Sequence, residues 1–520
     1  MSAMKKLSPE RAALLNFGQG EPAPKPTLQA SPQQAAFYNW VRTGSGSCVL
    51  VAVAGAGKTS TIINSLSMMS GDVFFGAYNK AIAEELKARV PSSSAANIDV
   101  STMHAVGFRF WRRVAPRVTI DQDKCRKIFR AASDVHTHYK QLESPVLKLV
   151  SLAKQAGLGV LKSANNGAFA GLVDHHDIEC PEFVIDGQVR RNGTDLVIGL
   201  AKKTLARSTE TDHDVIDYDD MIFAPLFHNA KVWEHDWVLI DEAQDTNATR
   251  RALALRMLKR GGRLVAVGDP HQAIYGFTGA DSDALNLIRD AVGAVEMPLT
   301  TTFRCPTSVV QVAQQWVAHI HAAATAPAGL VIKGELDKLS DLVKPGDAVL
   351  CRFTAPLITN VYALIAKGIP AKVEGREIGA GLKALATRWK TESLTTLQTY
   401  LDTFLETESA KLRAKEKESK AVALEDKVRC LGVLIRRAKE KDPKASVPAL
   451  LAEIDGLFGD QVRDCVVFST IHKAKGREWN RVVWIQTGPS PWARKEWERQ
   501  QEANLCYVAV TRSKNELVLV

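Results

Sequence analysis

Three features are missing from the sequence, and each absence closes off a class. The eight cysteines (48, 125, 180, 305, 351, 430, 465 and 506) include no C-x-x-C pair. That leaves no basis for a disulfide scaffold or a zinc ribbon, and buried, reduced thiols of an intracellular, cytoplasmic protein are expected. No apolar run is long enough to span a bilayer, so no membrane is expected as a partner. No apolar run follows Lys5 and Lys6, so no secretory signal is expected. Internal repeats and low-complexity tracts are also absent, which argues against a solenoid or a linker-like chain.

What is present is a long, basic, globular chain. At 520 residues it exceeds one ordinary core, so several domains are expected. Lys and Arg total 67 against 57 Asp and Glu, a net charge of +10. This suits a polyanionic partner, although many basic proteins bind none.

One stretch organises the rest. Val49-Leu50-Val51-Ala52-Val53 reads as a buried strand, Ala54-Gly55-Ala56-Gly57 as a small-residue loop, and Lys58-Thr59-Ser60 as the start of a helix. Such a loop turns backbone N–H groups toward an anion at a helix N-terminus, where the helix dipole also favours negative charge. Lys58 would reach the β- and γ-phosphates of a nucleotide, and Thr59 would offer its hydroxyl to Mg²⁺. The strict P-loop spelling has Gly where this chain has Ala52, while Gly55 and Gly57 still allow close backbone approach.

Further apolar runs sit at 73–77, 98–102, 237–240 and 264–267, typical of strands buried on both faces of a parallel sheet. Between Trp111 and about residue 215 the pattern is mainly helical, with a possible Asp186-Gly187 turn. A second set of strands is expected at Leu299-Thr300, 348–351, 465–468, 482–485 and 517–520. It is interrupted by a helical, charge-rich stretch near 381–455 that includes Lys411 to Lys417 and reads first as a solvated helix face. The fold class is therefore α/β, with two parallel-sheet units, each carrying a mainly helical insertion.

Asp241-Glu242-Ala243-Gln244-Asp245 follows one buried run directly. A carboxylate at that strand end, facing a P-loop, is where a second Mg²⁺ contact belongs, and Glu242 would activate the attacking water. Gly268-Asp269-Pro270-His271-Gln272 ends another strand, and Gln272 could sense a γ-phosphate. Tyr275 and Phe277 follow; they could stack on bases or belong to the core. Asp174-His175-His176-Asp177 with Cys180 could be drawn as a metal site, but no second ligand pair stands at finger spacing. His136 and His138 read as solvated.

In these stretches the chain resembles the UvrD/Rep-like superfamily 1 DNA helicases. The P-loop, the Asp241 stretch and Gly268 to Tyr275 resemble motifs I, II and III. Ala77 to Ala81 and Thr102 to Gly107 resemble motifs Ia and Ib. Thr302-Phe303-Arg304-Cys305 resembles motif IV, Ser469 to Trp479 motif V, and Tyr507 to Lys514 motif VI. Tyr218-Asp219-Asp220-Met221 resembles a short signature ahead of motif II. The spelling of Tyr78-Asn79-Lys80 and of Gly375 to Gly379 is closest to the F-box helicase branch and related phage or bacterial proteins, although no F-box is present.

The resemblance implies ATP and Mg²⁺ as cofactors, and single-stranded DNA and single/double-strand junctions as partners. It implies a catalytic set of Lys58, Asp241, Glu242, Gln272, Arg304 and Arg512, the two arginines acting as fingers across the cleft. Nucleotide contacts are implied for Ala54, Gly55, Ala56, Gly57, Lys58, Thr59 and Ser60, for Phe303 on the adenine, and for Glu478, which would bond the ribose or respond to the nucleotide state. Gln34 is the implied adenine reader, with Gln33 its close competitor. Metal contacts fall to Thr59 and Asp241, and strand contacts to Tyr78, Asn79, Lys80, Thr102, His104, Tyr275, Phe277, Thr470, His472 and Lys473. Without the resemblance, His104 and His472 are ordinary polar residues.

Two departures bear on function. The family usually has Arg after the motif III aromatic, where this chain has Thr278, and motif Ia usually has Phe where Ala77 and Tyr78 stand. The chain ends at Val520, just past motif VI, so no appended nuclease domain is expected. The expected organisation is a loose lead-in over 1–27, an ATP-binding RecA-like domain over 28–112 and 213–297, and a helical insertion over 113–212. A second RecA-like domain covers 298–380 and 456–520, with a small helical insertion over 381–455. The resemblance implies an ATP-dependent single-stranded DNA translocase and helicase moving 3′ to 5′. Two alternatives stand beside it: a translocase that strips proteins from DNA without unwinding, and a nucleotide-gated binding module.

Overall fold

The computed structural model describes residues 30–91, 94–131, 142–181, 183–185, 188–191, 193–210, 214–276, 279, 281, 283–414, 418–458, 464–488, 493 and 495–520. The lead-in over 1–27, the Asp186-Gly187 turn, His136, His138, Phe277, Thr278 and residues 415–417 lie outside the described residues.

The chain builds two parallel sheets of six strands. In the first, β1 Cys48–Ala52, β2 Asp72–Ala77, β3 Asn97–Thr102, β4 His235–Ile240, β5 Leu258–Gly268 and β6 Val295–Leu299 lie in the order β6-β1-β5-β4-β2-β3. The second contains β7 Leu330–Lys333, β8 Ala348–Cys351, β9 Ala371–Val373, β10 Val466–Thr470, β11 Trp479–Ile485 and β12 Ser513–Leu519. Their order is β7-β12-β11-β8-β10-β9. The α/β class with two parallel sheets is as expected from the sequence.

The apolar runs explain the parallel arrangement. Successive side chains of a strand point to opposite faces. Val49, Phe74, Val238 and Leu264 feed a core against helices Met103–Val114 and Asp220–Phe227, while their neighbours Leu50, Phe75, Leu239 and Val265 feed the opposite face. That second core continues into the other half of the molecule through Val309, Leu350, Tyr507 and Val508. The second sheet turns Val349, Phe468 and Val483 toward the helices that span 376–457. Both sheets are thus buried on two faces, which requires near-continuous hydrophobic strands.

One strand assignment is corrected. The strand expected at Leu299-Thr300 does not open the second sheet: Leu299 ends Val295–Leu299, which pairs with β1 in the first, Leu299 opposite Ala52. The Val53 N–H donates to the Leu299 carbonyl at 2.9 Å. The pattern of a short apolar strand does not say which sheet receives it, and here the pairing does. The consequence is functional, because the chain leaving β6 passes directly over the P-loop. Edge strands β7 and β9 had no reading in the sequence, being only four and three residues long.

Between β3 and β4 the chain is mainly helical, with its own core of Phe129, Leu149, Phe169 and Val197. The Tyr218-Asp219-Asp220-Met221 signature anchors this insertion. Lys124 donates to Asp220 at 2.8 Å, and Lys154, fully buried, reaches Asp217 at 2.6 Å and Asp220 at 2.7 Å. Burial works against the Lys154 charge, but Asp220 and Asp217 outweigh it and raise its pKa. Ser151 and Gln155 donate to Asp219 at 2.5 and 3.2 Å. Among the described residues no helix is long and apolar enough to cross a membrane.

Candidate active site

The P-loop sits between β1 and helix Lys58–Ser65. Gly55 and Gly57 have φ of 73° and 76°, left-handed values that favour glycine. A Cβ on Gly55 would lie 2.6 Å from Thr302 Oγ1 and 2.5 Å from Arg304 Cβ, so the loop is moulded to the segment that leaves β6. Phe303 N–H donates to the Gly55 carbonyl at 2.9 Å. The Ala54 N–H donates to the Tyr507 phenol oxygen at 2.8 Å, and that phenol reaches Asp269 at 3.4 Å. Burial, with the Asp269 charge, pushes the Tyr507 pKa up and keeps the phenol protonated.

Helix start and strand end face each other. Thr59 Oγ1 donates to Asp241 Oδ2 at 2.8 Å, and Lys58 Nζ lies 3.8 Å from Glu242 Oε1. Glu242 has φ of 51°, an uncommon backbone for a side chain of this kind. Such strain costs about 1–3 kcal/mol and persists where surrounding structure over-determines it. Here Gln244 Nε2 holds the carboxylate at 2.5 Å, while Gln244 Oε1 accepts from the Asp269 N–H at 3.1 Å. Burial and the adjacent Glu242 charge push Asp241 up. Burial also works on Glu242, but Lys58, Lys475, Gln244 and Arg512 hold its carboxyl below the usual range. Glu242 is therefore ionised.

The second half of the site comes from the segment after β6 and from β11 to β12. Arg304 Nε donates to Glu478 Oε2 at 2.6 Å, and Lys514 Nζ lies 3.6 Å from the same carboxylate. Arg512 is fully buried and donates to the carbonyls of Val508 (3.0 Å) and Arg477 (3.2 Å) and to Gln272 Oε1 (3.4 Å). Gln272 Nε2 in turn donates to Asp269 at 2.6 Å. Burial, together with the like charge of Arg304, lowers the Arg512 pKa to about 10. Two guanidiniums converging on one space are relieved by an anion placed between them and Lys58. The space is a cleft of about 870 Å³, walled by the P-loop, Asp241 and Glu242 on one side and Phe303, Arg304, Glu478 and Arg512 on the other.

Not every sequence-derived nucleotide residue faces this cleft with a free side chain. Gln34 completes a capping box with Ser31 and donates to Thr61 at 2.9 Å. Gln33 pairs with the Thr300 hydroxyl and N–H at 2.9 and 2.8 Å. Both amides are engaged beside the loop. Ser60 accepts from Arg89 at 3.0 Å.

Of the strand candidates, Tyr78, Asn79 and Tyr275 line the same cleft, and Thr470 and His472 lie on a neighbouring face. Tyr78 and Tyr275 stack, with centroids 6.4 Å apart and planes at 15°. The Tyr275 hydroxyl donates to the His472 carbonyl at 3.2 Å. Asn79 and Thr102 cap the helices that follow them, accepting from Ile82 and Ala105 N–H at 2.9 and 3.1 Å. Lys80 and Lys473 are exposed. Burial, reinforced by Arg250, lowers His104 to about 4; burial, with Arg352 and Lys475, lowers His472 to about 3. Both imidazoles are neutral near pH 7, so they cannot pair with phosphates as cations. Thr470 and His472 line a second cavity of about 620 Å³. Phe277 lies outside the described residues.

Lys475 joins the two faces, a role the sequence did not announce. Its ammonium meets Asp245 Oδ2 and the Gln272 carbonyl at 2.6 Å each, and sits 4.8 Å from the Tyr275 ring centre. Tyr507, Gln244 and Asp269 stand in motifs, but the sequence alone assigns them no role; only Tyr507 is set apart, as a polar side chain in an apolar stretch.

A P-loop after a parallel strand, an acidic strand end facing it, Arg304 from the segment that leaves the first sheet and Arg512 from the second sheet define a RecA-like α/β protein with two parallel-sheet units. Comparison with known proteins places it further. Residues 32–292 match the family model of the UvrD/REP helicase N-terminal domain, and residues 200–520 match that of the UvrD-like helicase C-terminal domain. The chain belongs to the UvrD-like helicase family. The ATP-dependent DNA helicase PcrA of Staphylococcus epidermidis is 25% identical over 301 residues, which cover 54% of this chain and 39% of that protein. PcrA of Bacillus subtilis is 25% identical over 296 residues, 53% and 38% of the two chains. A probable DNA helicase II homolog of Mycoplasma pneumoniae is 24% identical over 314 residues, 55% and 42%. The match thus spans about two-fifths of the length of these relatives.

Proposed function

We propose that this chain is an ATP-dependent single-stranded DNA translocase and DNA helicase that moves 3′ to 5′. The observation that carries the reading is the 870 Å³ cleft. In it the phosphate-binding loop and the carboxylates Asp241 and Glu242 of the first sheet face Arg304, on the segment that leaves that sheet, and Arg512, just before β12 in the second.

In this reading the P-loop amides and Lys58 hold the phosphates. Glu242, ionised and aimed by Gln244, accepts the proton of the attacking water. Arg304 and Arg512 neutralise charge that develops on the transferred phosphoryl group. Thr59 and Asp241 suit Mg²⁺, since a hydroxyl and a carboxylate oxygen 2.8 Å apart are hard donors of the type it takes. When bound, that ion supplies charge neutralisation at the phosphates. Phe303 would stack on the adenine and Glu478 would meet the ribose. Gln272, between Arg512 and Asp269, would register the γ-phosphate, and Lys475 would pass that state to the Tyr275 ring. In this reading the described residues within 30–112 and 214–299 would form the ATP-binding domain, and those within 300–380 and 464–520 the second domain. The insertions are 113–212 and 381–455.

A tailed-duplex assay tests the reading. With ATP and Mg²⁺, a duplex carrying a 3′ single-stranded tail is unwound and one carrying a 5′ tail is not. Unwinding from the 5′ tail overturns the polarity. Displacement of streptavidin from a biotinylated strand with no unwinding of either duplex favours the protein-stripping translocase instead.

A further inference from the structure

Trp497 stands in the first turn of helix Glu496–Val510, outside every stretch assigned above. Its indole is stacked on His175 of the first insertion, with centroids 5.2 Å apart and planes at 25°. The same ring packs beside Gly276. A Cβ there would fall 3.4 Å from Trp497 Cζ3 and 3.2 Å from Gln501 Oε1. Gly276 follows Tyr275, whose ring already stacks on Tyr78. Two stacked pairs, Tyr78 with Tyr275 and His175 with Trp497, thus lie on either side of Gly276.

The surroundings suit an unpaired base. Trp497 lines the 620 Å³ cavity together with Thr470, His472, Arg352 and Lys148. That volume is within the range of clefts that enclose small ligands, about 300–1,000 Å³. Its Nε1 is buried and has no acceptor among the described residues, an unusual state for an indole N–H. Four carboxylates line the cavity, and each has a partner; Glu498 accepts the Lys495 N–H at 3.0 Å. Asp177 meets Lys495 at 3.0 Å, Glu502 meets Arg352 at 3.0 Å, and Asp426 accepts the N–H groups of Thr354 and Ala355 at 2.9 Å each. Asp177 and Glu502 are thus paired with cations, and Asp426 and Glu498 are held by backbone N–H groups. Lys495, two residues before the indole, also donates to the carbonyls of Asp174 (2.6 Å) and His175 (3.2 Å), which holds the insertion against this helix.

We infer that Trp497 is a base-stacking residue of the DNA path, and that an unpaired base takes the indole face now covered by the His175 imidazole. The indole N–H lies in the ring plane, where a phosphate oxygen of the same strand, not the stacked base, can accept it. This rests on the translocase reading. Every base has a π-face, so the contact tolerates any sequence.

The test is fluorescence anisotropy of the full chain with two labelled strands of equal length, oligo(dT) and its abasic counterpart. Trp497→Ala weakens oligo(dT) binding on the order of ten- to hundred-fold. Trp497→Phe, which keeps a flat ring, restores most of it. On the abasic strand wild type and both variants coincide, because there is no base to stack. Unchanged oligo(dT) binding by Trp497→Ala overturns the inference. So does an equal loss on both strands, which would mark a purely structural contact between the insertion and the second domain. If wild type binds neither strand, the translocase reading fails and this inference with it.

Discussion

Substituting glutamine for Glu242 lowers strand-stimulated ATP turnover by about 10²–10⁴-fold, the usual worth of a positioned general base, and leaves ATP bound. The two effects separate because Glu242 is not part of the phosphate cradle. The cradle is the Gly55 and Gly57 backbone with Lys58, and its shape is set by Thr302, Phe303 and Tyr507. Glu242 stands on the same wall, 3.8 Å from Lys58, but is carried by the end of β4 and held by Gln244 at 2.5 Å. An amide is nearly the same size as the carboxylate and keeps a hydrogen-bonding oxygen, yet cannot accept the proton of water. Phosphate-release kinetics and titration of a fluorescent ATP analogue measure the two effects separately. Normal turnover would refute the assignment of the base. Loss of ATP binding would show that Glu242 belongs to the cradle.

Arg304→Ala has the other large effect, a loss of about 10³–10⁵ in turnover if the guanidinium acts as an arginine finger. Arg304 is the cleaner choice of the two arginines. Its Nε is held by Glu478 at the rim of the cleft, and truncation leaves the core intact. Arg512 is fully buried and satisfies the carbonyls of Val508 and Arg477, so its removal would cost stability as well as rate. The Arg304→Ala protein is therefore expected to melt near the wild-type temperature and to bind ATP while hydrolysing it very slowly. A turnover within tenfold of wild type, with the melting temperature unchanged, would remove Arg304 from the catalytic set.

Local chemistry was legible in the sequence, and long-range pairing was not. Gly55 to Thr59, Asp241 to Asp245 and Gly268 to Gln272 each carry their meaning in a few adjacent residues, because a phosphate loop or a strand-end carboxylate is built locally. The buried runs at 73–77, 237–240 and 264–267 likewise revealed parallel strands. Ala54 and Tyr507, or Asp245 and Lys475, meet only because two sheets are packed together. No spacing rule links residues so far apart in the chain. The same limit explains β6: its five residues fit either sheet by pattern, and only pairing with β1 decides. Asn79 and Thr102 show the opposite case. Their position in strand-binding motifs was readable, but part of the reason for their identity is that each caps a helix.

The central claim is that one cleft joins the P-loop to both arginines and that DNA governs the joint. The most direct measurement is the ATPase rate with and without single-stranded DNA over a series of salt concentrations. The account predicts strong stimulation at low salt that fades as salt rises, because phosphate contacts release counterions. A rate that does not respond to single-stranded DNA at any salt concentration would contradict it.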